Sequence, residues 1–201
     1  MRKFLIICAA LFLICASVEA RLIESNSTVA VMDFEPHKGT SEPSVDLLRA
    51  EMTTSEYVIQ RLAEKNNFLI IDKDLKSEEL KNVDILGKIA PEDARKIGKI
   101  LGVRYIIYGN VLDVSLANDA EAVVNLNKIR AHIITKIMDV ETGKILMAAK
   151  GEGESTSAFI GDDEIGFIVI GATKVSQTSV HNALQKAAFQ AVDILNERLF
   201  K

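Results

Sequence analysis

Apolar positions in this chain fall into short β-branched runs separated by stretches with three- and four-residue periodicity. Residues 28–34 (T-V-A-V-M-D-F) form one such run, closed by Pro36 and Gly39, and predict a buried strand. Ser44 stands where a helix cap belongs, with Asp46 in the first turn against the helix dipole. Val45, Leu48, Met52, Ile59 and Leu62 then recur at helical spacing as far as Asn66-Asn67, which predicts one amphipathic helix. Residues 68–72 (F-L-I-I-D) predict a second short buried strand. A further helix is marked by Pro91 at its first position, Glu92 and Asp93 in its first turn and Gly102 as its stop. Ala94, Ile97 and Leu101 form its apolar stripe, and Gly98 allows close approach.

The second half of the chain changes period. Residues 103–114 (V-R-Y-I-I-Y-G-N-V-L-D-V) predict a strand bent at Gly109. Residues 128–140 alternate, with Ile129, Ala131, Ile133 and Ile137 on one face. Glu141-Thr142-Gly143 then turns the chain into an antiparallel strand over residues 144–154. Residues 179–200 place Val180, Ala183, Leu184, Ala187, Ala188, Ala191, Leu195 and Leu199 on one helical stripe whose small residues suit close packing on a sheet. The order βαβ(α)αβββα predicts an α/β fold, a single-layer mixed sheet with helices packed against it. No internal repeat or linker interrupts residues 21–201, which are expected to form one domain.

Composition narrows the class. Of 201 residues, 48 % are hydrophobic and 26 % charged, with a net charge of −4, enough apolar material for a real core and too much for a disordered chain. No run of Lys and Arg offers a footprint for a phosphate backbone, so nucleic acid is not an expected partner. Arg2 and Lys3, the apolar stretch over residues 4–14 and the small residue at the end of Val18-Glu19-Ala20 make residues 1–20 a signal peptide, too short for a comfortable membrane span. Both cysteines, Cys8 and Cys15, lie inside it. Cleavage after Ala20 leaves no thiol for a disulfide, a nucleophile or a metal site. Ile7 and Ile14 precede the cysteines where a lipid anchor would need a small residue, so lipidation is disfavoured.

Candidate chemistry is sparse. His37, His132 and His181 are scattered, without partners at ligand spacing, and each reads as a structural or surface histidine. No Gly-x-Ser-x-Gly elbow is present, and Gly151-Glu152-Gly153 lies at a strand end rather than a helix start. Asp162-Asp163-Glu164 lacks the spaced oxygens of a calcium loop, and Asn26-Ser27-Thr28 matters only in a host that glycosylates there. No catalytic residue, metal or cofactor is expected, and the chain does not read as an enzyme. The unusual segment is residues 155–179, where Ser/Thr-rich flanks surround an acidic tip and an apolar run interrupted by Gly161, Gly166 and Gly171. It reads either as a loop with one more buried strand or as a hairpin over residues 155–177 that reaches a neighbouring subunit or a bilayer. Phe159, Ile165, Phe167, Val169 and Gly171 are its candidate contact residues.

Five segments in order, residues 28–34, 94–111 (A-R-K-I-G-K-I-L-G-V-R-Y-I-I-Y-G-N-V), 138–146 (M-D-V-E-T-G-K-I-L), 151–159 (G-E-G-E-S-T-S-A-F) and 183–192 (A-L-Q-K-A-A-F-Q-A-V), resemble the curli assembly/transport component (CsgG-like) family. The resemblance implies a periplasmic α/β domain that oligomerises and, in channel-forming members, a ring whose inserted hairpins close into a β-barrel. It also implies a non-catalytic envelope protein of secretion or assembly, with envelope protein partners, at the outer membrane or free of it. The alternative is a periplasmic interaction module that regulates a cell-wall or envelope partner without forming a channel. Channel-forming members resemble lipoproteins with two membrane hairpins per subunit. This chain has no cysteine after Ala20, and residues 114–128 are too short and acidic for the first hairpin.

Overall fold

A computed structural model describes residues 23–36, 44–76, 80, 90–117, 126–158, 166–170 and 173–201. In chain order the elements are β1 (Ser27–Val31), α1 (Val45–Met52), α2 (Thr54–Lys65), β2 (Phe68–Ile70), a 3-10 turn (Lys73–Lys76), α3 (Pro91–Leu101), β3 (Tyr105–Ala117), β4 (Leu126–Asp139), β5 (Ile145–Ala158), β6 (Phe167–Ile170), β7 (Thr173–Ser176) and α4 (Gln177–Leu199). The main sheet runs β2-β1-β3-β4-β5. β1 pairs parallel with both neighbours, and β3, β4 and β5 form an antiparallel meander. This is the mixed sheet with packed helices that the pattern predicts.

The run at residues 28–34 is apolar without alternation because β1 is covered on both faces, as parallel strands generally are. Val29 and Val31 face a core shared with Val58 and Leu62 of α2 and the long stripe of α4. Ala30 and Met32 face a second core with Ala94, Ile97 and Leu101 of α3. Ile106, Ile133 and Leu184, which the patterns place in the interior, are each fully buried. Ser44 caps α1 as expected, its hydroxyl oxygen accepting the Leu47 N–H at 3.2 Å.

Two local expectations are corrected. The helix expected after Ser44 is two helices, α1 and α2, broken at Thr53. The Thr53 hydroxyl donates to the Ala50 carbonyl at 2.7 Å, and its backbone opens to φ −74°, ψ −3°. That back-bonding competes with the helical ladder. The break rephases the apolar face, so Leu47 and Ala50, then Val58 and Leu62, are buried while Met52 and Ile59 are exposed. In β3 the irregularity is not at Gly109 but between Val111 and Asp113, where Leu112 is the extra residue. The bulge restores parity, putting Val111 and Val114 on the same core face. Gly109 instead makes room for Phe34, whose ring would lie 2.4 Å from a Cβ there.

Gly151-Glu152-Gly153 has a packing role. A Cβ at Gly151 would stand 1.9 Å from the Ala187 carbonyl oxygen, and one at Gly153 would stand 2.0 Å from that of Ala183. The two missing side chains let α4 lie directly on the backbone of β5, with Ala183, Ala187 and Ala191 as the matching small residues.

Candidate contact surface

The C-terminal part of the unusual segment is a small antiparallel hairpin, β6 against β7, with Ile168 opposite Val175 and Val169 opposite Lys174. Its partner strand is therefore residues 173–176, and residues 155–158 belong to β5 instead. β6 ends at Ile170 and β7 begins at Thr173. At its base Gly166 takes φ +97°, and its carbonyl accepts the Gln177 N–H at 3.0 Å.

Alternation divides the hairpin into two faces. Ile168 and Val175 are buried in the core beneath α4, with Ile170 partly buried beside them. Phe167 is 39 % exposed on the opposite face, and Val169 is half-buried there. The Lys174 ammonium sits 4.6 Å from the centre of the Phe167 ring, a diagonal cross-strand cation–π contact. Of the five candidate contact residues, the structure thus places Phe167 and Val169 together on one small apolar patch. Phe159, Ile165 and Gly171 lie outside the described residues. Lys174, which covers Phe167, was not singled out by the sequence patterns and becomes visible only once the pairing register is known.

A second surface lies on the side of β3–β4–β5 away from α4, where α3 reaches only the Ile106–Met138 end. It is ionic. Glu154 takes Lys128 at 2.9 Å and Arg130 at 2.5 Å, and Glu152 takes Lys150 at 2.9 Å. His132 stands between Glu152 and Asp113 at 3.7 and 3.9 Å. Hydrogen bonds from Lys150, and from Lys128 and Arg130, hold the Glu152 and Glu154 carboxyls below the usual carboxylate range. The face is a self-satisfied, solvated ladder.

Asp139 and His181 are each held by structural partners. Asp139 accepts the Thr142 N–H at 2.7 Å and pairs with Arg104 at 2.8 Å. Burial acts to raise its pKa, but the Thr142 hydrogen bonds and Arg104 outweigh it and hold the carboxyl below its ordinary range. His181 meets the Tyr57 hydroxyl at 2.6 Å across α2 and α4, and burial pushes its pKa down against the opposing pull of Glu56. His37 and the acidic triplet at residues 162–164 lie outside the described residues. Among the described residues no group of three His, Cys, Asp or Glu is placed to hold a metal ion. None of the described helices is long and apolar enough to cross a membrane.

The fold recurs in a solved structure. The hypothetical protein CT253 from Chlamydia trachomatis is 16 % identical, with a TM-score of 0.52 over 87 % of this chain and 98 % of that one. The C-terminal domain of LpoB from Salmonella enterica is 18 % identical, with a TM-score of 0.43 over 65 % of this chain and 84 % of that one. The PelC dodecamer from Paraburkholderia phytofirmans is 11 % identical, with a TM-score of 0.45 over 89 % and 92 %. No curated protein sequence matches the chain. The family model described as the curli production assembly/transport component CsgG matches residues 14–201, and the protein belongs to that family.

Proposed function

We propose that this chain is an exported, non-catalytic protein of the bacterial cell envelope that works in secretion or assembly through self-association and protein contacts. The family match over residues 14–201 carries the reading. The basic and apolar N-terminal pattern ending at Ala20 supports export to the periplasm, with or without contact to the outer membrane. The outward patch of Phe167 and Val169, continued in sequence by Phe159, Ile165 and Gly171, is the proposed contact surface toward a second subunit or an envelope partner.

A second reading is a periplasmic module that regulates a cell-wall or envelope partner without forming a channel. Burial of Ile168 and Val175 favours it, because the inner face of the hairpin is engaged by the protein's own core.

Intact-mass measurement on the envelope fraction, followed by light scattering in mild detergent, tests both. The expected N-terminus is Arg21. A multi-subunit particle that dissociates on Phe167→Asp carries the first reading, and a monomer indifferent to that change carries the second. An uncleaved chain retained in the cytosol ends both.

A further inference from the structure

Asn26-Ser27-Thr28, at the entrance to β1, has the form of an acceptor for an N-linked sugar, with no proline between Asn and Thr. Asn26 is exposed and takes φ +64°, a left-handed turn that asparagine tolerates better than most side chains. Glu24, two residues before it, is also exposed and gives the turn a charged handle. The Ser27 hydroxyl donates to the Glu24 carbonyl at 2.7 Å, and the Asn26 N–H donates to the Asn67 carbonyl at 2.9 Å. The turn is thus fixed beside the end of α2. Among the described residues the Asn26 side-chain amide makes no hydrogen bond.

The same turn borders a polar hollow of about 310 Å³ lined by Ser25, Asn67, Asn196, Glu197, Phe200 and Lys201. Small-molecule sites run from about 300 to 1,000 Å³. The Asn67 amide N–H donates to Asn196 Oδ1 at 2.6 Å, which leaves the Asn67 amide oxygen and the Asn196 amide N–H groups for a ligand. Phe200 is half-buried, with its ring 5.1 Å from that of Phe68, and supplies an apolar wall. Amide donors and acceptors beside an aromatic ring match the hydroxyls and the C–H face of a sugar ring.

We propose that Asn26 carries an N-linked glycan whose first sugar sits in this hollow. The modification requires the export proposed above and nothing else of that reading. The Asn26 amide nitrogen bonds to the anomeric carbon of a lipid-linked pyrophosphoryl oligosaccharide. The bond from that carbon to the pyrophosphate oxygen breaks, the lipid pyrophosphate leaves with the electron pair, and one amide proton passes to a base of the transferase. In the folded chain Thr28 lies within β1, between β2 and β3, and its hydroxyl accepts the Arg104 N–H at 3.0 Å. The transferase must therefore act on the exported chain before β1 pairs. After folding, the exposed turn keeps the glycan clear of the core.

Intact mass and peptide mapping of the chain, taken from the envelope fraction of its own bacterium, test the modification. The expected result is an N-terminus at Arg21 and a mass above that of residues 21–201 by one glycan, carried on the peptide that holds Asn26. Asn26→Asp, which suits the same left-handed turn, and Thr28→Val should each remove the added mass, and Thr28→Ser should keep it. In urea the glycosylated chain should have a higher midpoint than Asn26→Asp, and Asn196→Ala should cut that difference at least twofold. An unmodified mature chain, or added mass that survives Asn26→Asp, overturns the proposal and leaves export standing. A glycan that shifts the midpoint equally with and without Asn196 overturns its seat in the hollow. An uncleaved chain in the cytosol overturns export and modification together.

Discussion

Gly153 shows how far a single residue sets the architecture. Its absent side chain is where the Ala183 carbonyl of α4 lies, so the helix and strand approach each other to backbone contact. Gly153→Ala must lift α4 off the sheet, and overpacking of this kind costs about 1–3 kcal/mol. The expected readout is a lower urea midpoint with an unchanged slope. His181 belongs to the same scale. Burial lowers its pKa in the folded chain below the ordinary 6.5. The neutral ring is thus favoured by folding, and the Tyr57 hydroxyl can donate to its Nδ1 at 2.6 Å. The sign follows from linkage: this stabilisation is complete above pH 6.5 and is lost as the pH falls through the folded-state value. Urea midpoints measured from pH 8 to pH 5 should fall less steeply in His181→Gln than in the wild type, and equal slopes would show that the pair does not titrate.

At the scale of elements, the β6–β7 hairpin combines two roles that the apolar run alone cannot separate. Ile168 lies in the core, while Phe167 is 39 % exposed with the Lys174 ammonium over its ring. Ile168→Ala is expected to cost about 2–5 kcal/mol, as buried large-to-small changes do. Phe167→Ala should cost about 1 kcal/mol or less, the worth of an exposed cation–π contact. Equal costs would mean that the hairpin presents a different face to the core. Replacing residues 159–173 with a Gly-Ser linker, which would spare the fold if the segment were only a contact loop, is now expected to lower the urea midpoint because it removes Ile168. The α1–α2 break follows similar logic. Hydrophobic spacing alone fits one helix from Val45 to Leu62, and the hydroxyl of Thr53 decides otherwise by taking the Ala50 carbonyl.

At the scale of the whole molecule, two cores share one sheet. Ile97 of α3 packs against Ile106 and Met138, while Leu184 of α4 packs against the opposite face. We propose that residues 21–201 unfold as one cooperative unit, since neither core can open without exposing strands that also line the other. Ile97→Ala and Leu184→Ala should therefore lower one common urea transition by about 2–5 kcal/mol each. Two separate transitions, each sensitive to one variant, would divide the chain.

Sequence alone was sufficient for the class of fold, most strand and helix positions, the Ser44 cap, the α3 boundaries and the burial of Ile106, Ile133 and Leu184. Each of these rests on local spacing, which depends on the 3.6- and 2-residue periods of helix and strand. Only the tertiary structure decided which residue carries the β3 bulge, what Gly109 and Gly151-Glu152-Gly153 accommodate, and which strand pairs with β6. Those outcomes depend on what approaches a residue from elsewhere in the chain: Phe34 over Gly109, the Ala183 and Ala187 carbonyls over the glycines of β5, and residues 173–176 beside residues 167–170. The candidate surface divides the same way. Its apolar run was legible, but that Phe167 and Val169 face outward while Ile168 is buried is a matter of register, which one residue of slippage would invert.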